Sequence, residues 1–145
     1  MVKVLVKKLN PKIKLPSYKT VGSSGMDLMA CIDQTISIPP KNSALIPTGL
    51  SIAIPKDCEV QIRPRSGLAV KFNISVLNPP GTIDSDYRGE LKIILYNHGD
   101  KIFEVKNNDR VAQMVLMPIL KINLEETDDL PDTVRGSGGF GSTGK

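Results

Sequence analysis

Asp84 stands directly after the apolar Ile83 in NPPGTIDSDYRGE (residues 78–90). A carboxylate held there against a substrate can accept the proton of an attacking water. Asp86 follows two positions on, and such a pair suits either a metal ion or an ordinary turn. Tyr87 adds a flat ring fit to pack on a sugar. Asn78 offers both a donor and an acceptor, as reading the edge of a base requires. The YRG step, with apolar runs on both sides, reads as a hairpin with Gly89 available for a positive φ.

Four further stretches carry polar groups in apolar or glycine-rich surroundings. Asp27 lies between Met26 and Leu28 in SSGMDLMA, an acid inside an apolar strand that needs a partner, a water or the hydration shell of a metal. RPRSG sets Arg63 and Arg65 beside Ser66, a combination suited to phosphate oxygens. Ser66 also opens PRSGLAVKFN, which reads as one or two helical turns. Such a start either attracts an anion or is a plain capped turn, and the residues leave both open. Gln113 in RVAQMVL is an uncharged polar group in an apolar strand and wants a partner. In RGSGGFGSTGK, Arg135, Ser142 and Thr143 surround one large ring, Phe140. A glycine-rich segment normally frays, yet these side chains suit one that orders on a flat, negatively charged partner. GFGSTGK fits the first seven positions of a P-loop, but that motif needs a strand before it, a helix after it and a hydroxyl next to the lysine. No P-loop is expected, although glycine amides can still form an anion nest.

The elements that must hold these residues are short. The 145 residues suggest one domain, and an aromatic content of 4% without Trp leaves the core to aliphatic side chains. Net charge is +4 with the lysines scattered, which argues against a nucleic-acid-binding face. Cys31 and Cys58 lie in apolar segments, too few for a disulfide scaffold, and His98 in NHGD reads as a turn residue. No stretch approaches the ~18 apolar residues of a membrane span. MVKVLVKKLN lacks the apolar core of a signal peptide, so a soluble cytoplasmic protein is expected. Two-residue periodicity predicts strands at VKVLVK (2–7), TISI, SALI, LSIAI, EVQIR, ISVL, LKIILY, KIFEV, RVAQMVLM and LKINL (120–124). With Pro- and Gly-rich turns between them, they indicate an all-β sandwich or jelly roll with one short helix. Residues 1–124 are expected to form its body. From Glu125 the acidic EETDDLPDTV reads as an extended arm leading to the glycine-rich end, residues 125–145, and an arm of this kind hints at docking on a neighbouring subunit.

In order along the chain, SSGMDLMA, RPRSGLA, LNPPGTIDSDYRGE, RVAQMVL and RGSGGFGST resemble the five motifs of the trimeric dUTPase family (deoxyuridine 5′-triphosphate nucleotidohydrolase), at matching chain length and spanning Ser23 to Thr143. Ser24 stands where the first motif often has alanine and Met114 where the fourth often has leucine. Neither carries chemistry.

The resemblance implies a jelly-roll homotrimer with an exchanged C-terminal arm, each site being assembled from all three subunits. It implies that uracil lies in the hairpin begun by the third motif, read by Asn78 and by main-chain groups at Thr82, Ile83 and Asp84 and near Lys92. A slot that narrow would exclude thymine's methyl by overpacking. Tyr87 would pack on deoxyribose where a 2′-hydroxyl would clash. Asp84 would contact the 3′-hydroxyl and act as base on the water that attacks the α-phosphorus. The products would be dUMP, which supplies thymidylate synthesis, and pyrophosphate, and uracil would be kept out of DNA.

Arg65, Ser66 and Gly67, with Gln113, Arg135, Gly141, Ser142 and Thr143, would hold the triphosphate. Mg²⁺ would bridge phosphate oxygens, with Asp27 holding a metal-bound water rather than the ion. Phe140 would stack over uracil as the glycine-rich tail closes as a lid. The expected partners are dUTP and further copies of this chain, with no nucleic acid and no membrane. Two alternatives stand beside this reading: a dCTP deaminase and a non-catalytic jelly-roll module. The first normally needs a glutamate at the base, and the glycine-Phe tail matches the hydrolase instead. The second would be expected to have lost some of Asp27, Arg65, Ser66, Asp84, Gln113, Arg135 and Phe140.

Overall fold

Strict alternation lets one face of a strand enter a core while the other meets water. KIILYN does this in β9 (Lys92–Asn97): Ile93, Leu95 and Asn97 are buried and Lys92 is exposed. In the computed structural model, which describes residues 1–140, β9 runs between β4 (Ser43–Pro47) and β7 (Ile74–Val76). A second sheet is built on β11 (Arg110–Pro118), the longest strand described. β2 (Met26–Met29) flanks it on one side and β6 (Cys58–Arg63) on the other, and β8 (Gly81–Ile83) pairs with the far edge of β6. Two smaller ladders join β1 (Leu5–Lys8) to β5 (Leu50–Ala53) and β3 (Ile36–Ile38) to β10 (Phe103–Val105). Every pairing among the described residues is antiparallel. The all-β expectation with one short helix is met.

That helix, α1 (Ser66–Phe72), begins where Arg65 is still extended (φ −99°, ψ 125°), and no side chain caps it. Ser66 is thus the first helical residue rather than a cap. Asn73 ends the helix in the left-handed region at φ 55°, its N–H directed at the carbonyls of Ala69 and Leu68. Asparagine tolerates that conformation better than most residues.

The core is aliphatic, as the scarcity of aromatics requires. Leu28, Ile38, Ile46, Ile74, Leu91, Ile93 and Leu95 are each at most 1% exposed. Buried Asn97 is satisfied: its amide nitrogen donates to Ile38 O at 2.9 Å and Lys101 O at 2.7 Å, and its oxygen accepts the Gly99 N–H at 2.9 Å. Leu95, in the middle of the central strand β9, tests the core. Leu95→Ala is expected to cost about 2–5 kcal/mol through lost burial and the cavity left behind, read by denaturant unfolding at fixed protein concentration.

Three expectations need correction. VKVLVK forms a strand only from Leu5, and all four residues of β1 are exposed. LKINL forms no strand among the described residues: beyond Pro118 the chain has no ladder partner, leaving Leu120, Ile122 and Leu124 at 97%, 80% and 86% exposure. The YRG hairpin is not built either. The segments on its two sides separate, β8 onto β6 in one sheet and β9 between β4 and β7 in the other. Gly89 does not take a positive φ. It is glycine for a different reason: a Cβ there would overlap the Tyr87 ring.

Candidate active site

The loop from Asp84 to Leu91 crosses between the two larger sheets, and the crossing opens a cavity of about 310 Å³. Leu45, Thr82, Ile83, Asp84, Tyr87, Glu90 and Lys92 line it. Five of these residues are candidates from the sequence; Leu45 and Glu90 are not. β8 delivers Thr82 and Ile83, and the start of β9 delivers Lys92. The Asp84 carboxylate is exposed and has no hydrogen-bond or ion-pair partner among the described residues, so water can reach it. Tyr87 leans back over Gly89, its hydroxyl donating to the Glu90 carbonyl at 3.0 Å. Lys92 Nζ lies 3.8 Å from Glu90 Oε2. Asn78 is exposed ahead of β8 and outside the wall of this cavity. Leu45 carried a sequence signal, an apolar residue at an outward position of the SALI alternation, and it is 54% exposed.

A second group gathers where β2, β11 and β6 run side by side. Gln113 on β11 faces Asp27 on β2 and Arg63 on β6. The partner that half-buried Asp27 requires is a guanidinium: Arg65 Nε donates to Oδ1 at 2.9 Å. Arg110 Nη1 donates to Oδ2 at 3.4 Å. The Asp27–Arg65 pair is 17% and 21% exposed by side chain, which limits solvent screening. Gln113 Nε2 donates to Pro64 O at 2.9 Å, so the amide braces the segment that leads into Arg65 and α1. Ser66 and Gly67 follow at the exposed start of α1. Two arginines on one aspartate leave the cluster with net positive charge, and both border a cavity of about 620 Å³.

Arg63, the other arginine of RPRSG, turns away. Its guanidinium donates to Gln61 Oε1 at 3.0 and 2.6 Å. Arg110 was not legible as a member of the cluster. A register shift between Arg110 and Ala112 sets it beside Asp27, in keeping with the way bulges re-aim side chains.

These two groups do not meet within one chain. Ile83 pairs with Val60, so Asp84 lies toward the Glu59 end of β6 while Arg65 lies past its other end. Six residue spacings separate them, about 20 Å along an extended strand, more than one triphosphate spans. Arg135 closes a local turn by donating to Gly138 O at 2.7 Å. Phe140 is fully exposed, and no apolar surface among the described residues covers it. Gly141, Ser142 and Thr143 lie outside the described residues. Among the described residues no cluster of three His, Cys, Asp or Glu is placed to hold a metal ion, and no helix is long and apolar enough to cross a membrane.

A family model described as dUTPase matches residues 11–144. The deoxyuridine 5′-triphosphate nucleotidohydrolase of Gloeothece citriformis (strain PCC 7424) is 52% identical over 143 residues, 99% of this chain and 97% of that protein. Its counterpart from Hydrogenobaculum sp. (strain Y04AAS1) is 51% identical over 143 residues, 99% of each chain. The dUTPase of Staphylococcus bacteriophage 80alpha, solved with dUPNHPP, shares the fold at a TM-score of 0.89 and 23% identity, with 99% of both chains covered. In class, the molecule is an antiparallel β protein with an acidic cavity and a separate arginine cluster. By the match along nearly its whole length, the chain belongs to the dUTPase family.

Proposed function

We propose that this protein hydrolyses dUTP to dUMP and pyrophosphate in the cytoplasm, as a homotrimer whose sites are shared between subunits. The observation that carries the activity is identity of about half, end to end, with proteins named deoxyuridine 5′-triphosphate nucleotidohydrolases. The cavity supplies matching chemistry. Asp84 takes a proton from water as the water attacks the α-phosphorus, and the pyrophosphate oxygen leaves with the P–O electron pair. Tyr87 packs on deoxyribose, while Asn78 and the main chain of Thr82, Ile83 and Asp84, with Lys92 nearby, read the uracil edge.

Arg65, the α1 start at Ser66 and Gly67, and Gln113 hold the phosphates, joined by Arg135, Gly141, Ser142 and Thr143. Phe140 covers the base. Asp27 fits an indirect role toward Mg²⁺: its carboxylate is anchored by two guanidinium groups and keeps lone pairs for a water. Mg²⁺, when bound, neutralises charge on the phosphate oxygens.

The separation of about 20 Å between Asp84 and Arg65 supports the shared site, because a second subunit must bring its arginine cluster to this subunit's cavity. The uncovered Leu130, Val134 and Phe140 support the arm. In this reading residues 1–124 are the catalytic body and residues 125–145 an arm exchanged onto a neighbour.

Product analysis with Mg²⁺ and dUTP, dTTP, dCTP or UTP tests the activity. Pyrophosphate and dUMP from dUTP alone are expected. Ammonia from dCTP would assign a deaminase, and turnover of none would leave a non-catalytic β module.

A further inference from the structure

Glu90 closes the loop that forms the cavity, yet the chemistry above gives it no task. Its Oε1 accepts the Gly49 main-chain N–H at 2.7 Å in a half-buried position. Gly49 links β4 to β5 at φ +66°, where a side chain would also collide with Ile13, so this donor is fixed in place. Beside it Thr48, 1% exposed, donates its hydroxyl to Leu91 O at 2.7 Å and its N–H to the same oxygen at 3.2 Å. Leu91 N–H in turn donates to Leu50 O at 2.7 Å. Four hydrogen bonds thus clasp residues 90 and 91 to the β4–β5 turn. On the cavity side, the Tyr87 hydroxyl donates to the Glu90 carbonyl at 3.0 Å and the ring rests over Gly89. Where the Glu90 backbone stands therefore decides where the Tyr87 ring stands.

We propose that Glu90 is a positioning residue for sugar selectivity. By gripping the Gly49 amide it holds its own carbonyl, and through it the Tyr87 ring, close enough to the sugar to reject a 2′-hydroxyl. The inference rests on reading the cavity as the dUTP site. The Lys92 contact is the lesser of the two that the carboxylate makes. At 3.8 Å, with Lys92 47% exposed by side chain, it is a screened surface pair. The Gly49 bond is short and charge-assisted, the stronger kind. Glutamine keeps an acceptor oxygen at position 90 and gives up only the charge assistance, so it should preserve most of the clasp that alanine loses.

The experiment is steady-state hydrolysis of dUTP and of UTP with Mg²⁺ by the full chain, comparing Glu90→Ala, Glu90→Gln and Thr48→Val with the wild type. Thr48 lies outside the cavity wall, and its substitution loosens the same clasp from the other side. Glu90→Ala is expected to lower the dUTP-to-UTP ratio of kcat/KM by about tenfold or more, the scale of one relieved steric clash. Glu90→Gln should stay within about threefold of the wild type, since the acceptor is kept. Thr48→Val should shift the ratio in the same direction as Glu90→Ala. If Glu90→Ala melts too low to assay, the other two variants carry the test. An unchanged ratio in Glu90→Ala, or equal losses on both nucleotides, overturns the role, as does failure of glutamine to rescue or of Thr48→Val to move the ratio. A wild type that hydrolyses neither nucleotide would instead overturn the dUTP reading itself.

Discussion

Asp84→Asn is expected to lower kcat for dUTP by about 10³-fold, within the range that loss of a general base produces, while leaving dUTP affinity within a few-fold. Asparagine keeps the shape of the side chain and removes its ability to take a proton. Because Asp84 is exposed and has no partner in the described residues, the exchange breaks no contact that holds the fold. Single-turnover pyrophosphate release together with equilibrium nucleotide binding separates the two effects. A kcat within tenfold of the wild type would remove Asp84 from the role of base.

Deletion of residues 135–145 is expected to leave a folded trimer and to lower kcat/KM for dUTP by about 10²-fold, the scale on which loss of a closing, positioning segment acts. Residues 135–140 contribute nothing to the aliphatic core, and Phe140 is fully exposed, so stability should hardly change. What goes is the Arg135 guanidinium, the Phe140 ring and the hydroxyls of Ser142 and Thr143. Sedimentation and melting would report an intact assembly, and steady-state assays the loss. An undiminished rate would show that the tail is no lid.

Strands that bury one face could be read directly from the chain. β9 alternates because Ile93 and Leu95 must reach the core, β11 does so past its bulge, where Ala112 is buried and Met114 and Leu116 pack against the core, and α1 was marked by the change of texture after Pro64. LKINL has the same alternation, but periodicity cannot say whether a partner strand is present, and among the described residues none pairs with it. The YRG step failed as a hairpin because turn-forming residues describe a local bend, whereas the choice of β6 as the partner of β8 is made by packing far along the chain. Asp84 and Tyr87 were legible because one motif holds both, and Lys92 because it follows that motif closely. Arg110 and Glu90 were not: the first reaches Asp27 by way of a bulge, and the second takes its meaning from Gly49, 41 positions earlier.

The measurement that bears most directly on the account is activity after subunit mixing. Trimers of Asp84→Asn and of Arg65→Ala, each nearly inactive alone, would be dissociated, combined in equal amounts and reassembled. If each site draws Asp84 from one subunit and Arg65 from another, random mixing restores both residues in about one quarter of the sites, and dUTP hydrolysis should recover to about that fraction of the wild type. A mixture as inactive as its two parents would mean that both residues must come from the same chain, and the shared-site account would fall.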